Sequence, residues 1–163
     1  MEFIDLEKCI HEPAFEETLV RLYGEDHAEN ARARCAEALA GFVKTFESQP
    51  EALFSAPGRT EVGGNHTDHQ HGRVLAAAVD LDILAAAAPN QSGMIRVQSQ
   101  GYPLIVVDLG ELTPKAEEEN TSAALIRGVA ARMAAMGCPL RNAGLDVYMT
   151  STVPGGSGLS SSA

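Results

Sequence analysis

The sequence predicts an α+β fold, a mixed, largely antiparallel sheet with helices packed on it. Stretches with the period of a helix, residues 29–46 and 121–136, stand apart from stretches that alternate or run apolar as strands do, residues 94–99, 104–109 and 144–153. Proline and glycine pairs punctuate the boundaries, at Pro57-Gly58, Pro89-Asn90 and Gly101-Tyr102-Pro103. The chain has 163 residues, 45% of them hydrophobic, which suffices for one domain with a core and is too short for two comfortable ones.

From Pro13, the apolar residues Phe15, Leu19 and Leu22 recur at threes and fours, which predicts a short amphipathic helix that Gly24 ends. Residues 29–46 form the clearest helix, rich in Ala, Arg and Glu, with Leu39, Phe42, Val43 and Phe46 on one face destined for the core. Residues 53–56 read as a short strand entering a Pro57-Gly58 turn. Residues 58–72 then read as a loop, too polar for a buried strand and too glycine-rich for a helix. Residues 73–88 resume as one or two strands despite their alanines, and Pro89-Asn90 with Gly93 ends them like a hairpin turn. Residues 94–99 and 104–109 are expected as antiparallel neighbours, and residues 113–120 as an acidic, solvated connection. The pattern at 121–136 is helical, with Leu125, Val129, Met133 and Met136 recurring and Gly137 as the stop signal. Residues 144–153 alternate Leu145, Val147 and Met149 against Asp146, Tyr148 and Thr150, a half-buried strand that runs into the glycine-rich end of the chain.

Composition excludes several classes of function. A net charge of −10 with 12 scattered basic residues argues against a nucleic-acid surface, which needs clustered Lys and Arg. The 5% aromatic content offers no stacking platform for single strands. The three cysteines, Cys9, Cys35 and Cys138, form no close pair and read as reduced thiols. The first residues are acidic where a secretory signal would be basic, and the most apolar stretch, residues 74–88, is interrupted by Asp80 and Asp82. A cytoplasmic protein without membrane partners is the expectation.

Two stretches carry chemistry. Residues 153–163 read V-P-G-G-S-G-L-S-S-S-A directly after a strand. A glycine-rich turn opening a helix presents unpaired backbone N–H groups at the positive end of the helix dipole, a cradle for phosphate. It is not the common P-loop, which needs a lysine followed by Ser or Thr, nor the dinucleotide fingerprint of a first parallel unit. A flexible Gly/Ser tail is the bland alternative, and Val153, Pro154 and Leu159 argue against it. The second stretch, residues 55–72, reads S-A-P-G-R-T-E-V-G-G-N-H-T-D-H-Q-H-G and gathers Arg59, Glu61, Asn65, His66, Asp68, His69 and His71. Such a mix of amide, carboxylate and imidazole suits a polyhydroxylated ligand, while Arg59 could neutralise charge on a transferred phosphoryl group. His66, Asp68, His69 and His71 could also bind a metal, which leaves a metal-dependent hydrolase open, although their spacing matches no recurring zinc pattern.

Together, the two stretches resemble the galactokinase family. Residues 56–72 resemble its signature, usually G-R-x-N-L-I-G-E-H-x-D-Y, and residues 154–163 resemble the phosphate loop of the wider superfamily with homoserine, mevalonate and phosphomevalonate kinases. The resemblance spans roughly residues 53–163. It implies the N-terminal domain of that superfamily, of ribosomal protein S5 domain 2-like fold, as a single unit over residues 1–163. It further implies a sugar-1-kinase that moves the γ-phosphoryl of ATP to the anomeric hydroxyl of galactose with Mg2+ as cofactor. Arg59 would then lie near the transferred group, with Glu61, Asn65, His66 and Asp68 on the sugar. Pro154, Gly155, Gly156, Ser157, Gly158, Leu159, Ser160, Ser161 and Ser162 would wrap the ATP phosphates, with Ser160 or Ser161 reaching the Mg2+.

The sequence departs from the family in three places. Glu61 stands where the family has Asn and Asn65 where it has the sugar-binding Glu, as if the pair were exchanged, and His69 replaces Tyr. An exchanged pair could keep one hydrogen-bond set with roles reversed or admit another sugar. It also leaves open a non-catalytic relative that senses sugar and ATP. No acid in residues 1–163 matches the family's catalytic aspartate or its magnesium-binding acid, so the chain is expected to be a truncated domain without a C-terminal partner, inactive alone and prone to associate through uncovered apolar surface.

Overall fold

The computed structural model describes residues 5–64, 73–140 and 143–154. A short helix α1 (Leu6–Cys9) and the helices α2 (Pro13–Tyr23) and α3 (Ala28–Phe46) precede a five-stranded sheet of β1 (Ala52–Gly63), β2 (Leu75–Pro89), β3 (Met94–Ser99), β4 (Ile105–Asp108) and β5 (Leu145–Ser151), with α4 (Ser122–Ala135) between β4 and β5. The strand order is β1-β2-β5-β3-β4. Three of its pairings are antiparallel, while β3 and β5 run parallel, so the sheet is mixed and largely antiparallel as expected.

α3 supplies the core. Its Leu39, Phe42 and Phe46 are buried with Leu19 of α2 and Ile10, against Leu84, Ala86 and Ala88 of β2. Phe42 and Phe46 lie with ring centroids 4.9 Å apart. Burial of each large side chain contributes about 1.5–3 kcal/mol. The small residues of β2 are what let the helix approach. A side chain on Gly41 of α3 would overlap the Tyr148 ring on β5, so the helix lies directly on the sheet. Arg32 ties the preceding turns to α3 through the Ile10 carbonyl and Glu16.

Register places Val107 on the sheet face opposite Ala86, and Val107 is fully buried where α4 packs on β4. The helix turns Ala130 and Arg127 inward. Arg127 binds Glu118 through two hydrogen bonds, at 2.6 and 2.7 Å, and also reaches the Glu111 carbonyl. The stripe Leu125, Val129, Met133 and Met136 is exposed.

Two expectations about the strands are corrected. The strand at 53–56 does not turn at Pro57-Gly58; β1 continues to Gly63, so residues 58–63 are strand rather than loop. β1 is an edge strand, where a proline costs no ladder bond and polar side chains face water, and the register shifts between Pro57 and Arg59. The turn after Pro89 does not make a hairpin, because β5 lies between β2 and β3. On β5 the inward residues are the polar Asp146 and Thr150, with the half-buried Tyr148 between them. Asp146 is tolerated there because Arg96 grips both its oxygens at 2.6 Å and Asn90 donates to it at 2.6 Å.

Candidate functional site

Arg59 and Glu61 stand on the second half of β1, opposite Ala78 and Ala76 of β2, and both are exposed. Being two residues apart on a regular stretch of strand, they share a face. The alanines opposite present no bulk that would crowd them. At the end of β1, Gly64 has φ +92° and a Cβ there would overlap the Arg73 carbonyl. The chain therefore leaves for residues 65–72 and returns from them at one point, the tip of the β1–β2 pair.

The approach to the glycine-rich segment begins where β5 ends. Ser151 is the last residue of β5 paired with β2, opposite Ile83. Beyond it, Thr152 stays on β2 by its own bonds: its N–H donates to the Asp82 carbonyl at 2.9 Å, and its Oγ1 accepts from the Asp82 N–H at 3.0 Å. Val153 is then buried against Gly58. A Cβ on Gly58 would lie 3.3 Å from the Val153 Cγ2, 3.1 Å from the Val79 Cγ2 and 3.2 Å from the Leu81 carbonyl. The neighbour of Arg59 in one motif thus touches the neighbour of Pro154 in the other, across 95 residues of sequence.

Asp82 sits at this junction, opposite Pro57 and 2% exposed. Its carboxylate accepts from Tyr23 Oη at 2.5 Å, Ser55 Oγ at 2.6 Å and Arg34 Nη2 at 2.6 Å. Burial alone would raise the Asp82 carboxyl. The hydrogen bonds from Ser55, Tyr23 and Arg34 outweigh it and hold the group below its ordinary 3.8. Burial and the bond to Asp82 raise the Tyr23 hydroxyl above its ordinary 10.0. Nearby, burial pushes the Cys35 thiol up to about 11, so it is an unreactive core group.

Of the residues singled out from the sequence, Arg59, Glu61 and Pro154 lie within the described residues, all three exposed. Asn65, His66, Asp68, His69 and His71 lie outside them, as do Gly155, Gly156, Ser157, Gly158, Leu159, Ser160, Ser161 and Ser162. Among the described residues no cluster of His, Cys, Asp or Glu could hold a metal, and no helix is long and apolar enough to cross a membrane. Sequence reasoning missed the Asp82 centre, with Tyr23, Arg34, Ser55 and Thr152. Its one signal was an acid interrupting the most apolar stretch of the chain.

Comparison with known proteins first defines the class. The structure is similar to that of Lactococcus lactis galactokinase complexed with galactose, with a TM-score of 0.66 and 22% identity over 78% of this chain and 33% of that one. It is similar also to Methanococcus jannaschii mevalonate kinase, with a TM-score of 0.53 and 15% identity over 66% of this chain and 34% of that one. The fold is the one shared by these kinases, the GHMP kinase fold.

Within that class the sequence points to one family. Residues 40–89 match the model described as the galactokinase galactose-binding signature. The chain is 33% identical over 124 residues to the galactokinase of Lacticaseibacillus casei, a match covering 76% of this chain and 32% of that protein. The resemblance to galactokinases is thereby shown: this chain is a homologue of galactokinases, and its residues 40–89 carry their galactose-binding signature. It spans about a third of the length of the curated relatives it matches.

Proposed function

We propose that this chain is the sugar- and nucleotide-recognising part of a galactokinase-type sugar-1-kinase. The observation that carries this reading is the packing of Gly58 against Val153, which brings the strand of Arg59 beside the start of the glycine-rich segment. The anomeric hydroxyl oxygen of galactose would attack the γ-phosphorus of ATP. The bond from that phosphorus to the β–γ bridging oxygen would break, ADP would leave, and the hydroxyl proton would pass to a base. By resemblance to the family, that base is an aspartate without a counterpart in residues 1–163.

In this reading, Arg59 neutralises charge developing on the transferred phosphoryl group, and a guanidinium serves because it remains charged and presents a planar fork of donors. Glu61, Asn65, His66 and Asp68 hold the sugar hydroxyls. Gly155, Gly156 and Gly158 offer backbone N–H groups to the phosphates without side chains in the way. The donor chemistry of the segment fits a magnesium nucleotide, since a hydroxyl oxygen of Ser160 or Ser161 is the hard ligand that Mg2+ prefers. Mg2+ would offset charge on the phosphates; the chain's own residues bind, orient and exclude water.

The exchanged Glu61 and Asn65 favour one second reading, a relative that binds sugar and ATP without transferring phosphate. Calorimetric titration of the complete gene product with galactose and with glucose tests sugar choice. Galactose is expected to bind at least about tenfold more tightly, as a site built to pair a particular hydroxyl discriminates well. Equal affinity for both, or binding of neither, would overturn galactose as the ligand.

A further inference from the structure

We propose that Asp82 is a positioning residue, which fixes the strand carrying Arg59 and the chain leading into the glycine-rich segment in one relation to each other. Its catalytic consequence rests on the kinase reading above; its structural part does not.

Asp82 bonds to four separate parts of the fold. Its side chain takes Ser55 of β1, its main chain exchanges two hydrogen bonds with Thr152, and Tyr23 of α2 and Arg34 of α3 close the remaining sides. Ser55 lies four residues before Arg59, and Thr152 two before Pro154. Asp82 is also the last β2 residue paired with β1 before the register slips: Pro57 faces Asp82, yet Arg59 faces Ala78. Residues 79–81 bulge there, bringing Val79 and the Leu81 carbonyl against Gly58 beside Val153. The direction in which Arg59 leaves the bulge, and the direction in which the chain passes Pro154, therefore depend on the same peptide unit.

Stability alone does not require a buried carboxylate at this point, because well-packed apolar residues of similar volume commonly serve as well. Donors from three elements around one anion select a single geometry. Phosphoryl transfer is governed by such geometry, since donor and acceptor must meet in line. Asp146 provides a comparison on the same sheet. It is equally buried, and among the described residues its side-chain hydrogen-bond partners are Arg96 and Asn90, which belong to neither motif.

The test uses the complete gene product and the variants Thr152→Val, Thr152→Ser, Asp82→Asn and Asp146→Asn. For Thr152→Val and Asp82→Asn, kcat should fall by about tenfold to a hundredfold, the scale expected of a misplaced reacting group. The galactose KM should stay within about threefold, because residues 65–72 remain attached at the tip of β1. Thr152→Ser keeps the hydroxyl and should restore kcat to within about twofold. Asp146→Asn should lower Tm at least as much while leaving kcat intact. A kcat loss in Asp146→Asn that matches the Asp82 variant at equal Tm would overturn the proposal, as would an unchanged kcat in Thr152→Val.

Hydrogen exchange supplies a readout independent of sugar chemistry. Thr152→Val must raise exchange both in peptides covering 55–61 and in those covering 150–154, and a rise confined to one of them refutes the coupling. Were the wild-type protein to phosphorylate no sugar, the kinase reading would fall, and exchange would still decide the role of Asp82.

Discussion

Asp82 stabilises the fold only while ionised, and Tyr23 only while protonated, so the contact between them works inside a window of pH. The Asp82 carboxyl titrates below its ordinary 3.8, so its contribution is present above that value and is lost as pH falls through the folded value. The Tyr23 hydroxyl titrates above 10.0, so its contribution is complete below 10.0 and is lost as pH rises through the folded value. Tyr23→Phe should therefore cost about 1–2 kcal/mol between pH 5 and 9, the worth of a hydrogen bond from a half-buried hydroxyl to a charged partner. The difference from wild type should shrink above pH 10, as followed by denaturant unfolding at a series of pH values. A difference that stays constant to pH 11 would show that the Tyr23 hydroxyl does not depend on its bond to Asp82. At this scale the sequence displayed the candidate site residues by type, Arg59 and Glu61 included. It could not display the Asp82 centre, because Tyr23, Arg34, Ser55, Asp82 and Thr152 come from five separate stretches of chain.

Among the elements, β1 shows where pattern reading succeeds and where it fails. Helices α2 and α3 were legible because burial on one side imposes a period on their apolar residues, as in Leu39, Phe42 and Phe46. β1 lies at the edge of the sheet, and nothing forces its outer half to be apolar, so Arg59, Thr60 and Glu61 read as loop. The inward face of β5 was not legible for a related reason. Its inward Asp146 is made acceptable by Arg96 and Asn90, partners that no local window contains. Gly58 is the position at which β1 depends on the rest of the fold, since a Cβ there would press on a backbone carbonyl and two valines. Gly58→Ala should cost about 1–3 kcal/mol, as overpacking does in other well-filled sites. Gly63→Ala, on the same strand with nothing within 4 Å of its Cβ, is the control and should leave Tm unchanged. Equal effects of the two substitutions would indicate that the Gly58–Val153 packing is not tight.

For the molecule as a whole, the fold class was legible and the order of strands was not. Insertion of β5 between β2 and β3 joins residues that are some fifty positions apart, and local periodicity carries no record of it. That insertion is nevertheless what produces the candidate site. It sets the end of β5 beside β2, and so brings the chain, as far as Pro154, to the strand pair that bears the galactose-binding signature. The central claim, that the two motifs are halves of one phosphotransfer site, is tested most directly by following labelled γ-phosphoryl from ATP in the complete gene product with galactose. Galactose 1-phosphate and ADP should form in equal amounts, only when sugar is present, and Arg59→Ala should slow the transfer by about a hundredfold to a thousandfold. Galactose binding without transfer, or transfer that Arg59→Ala leaves unchanged, would contradict it.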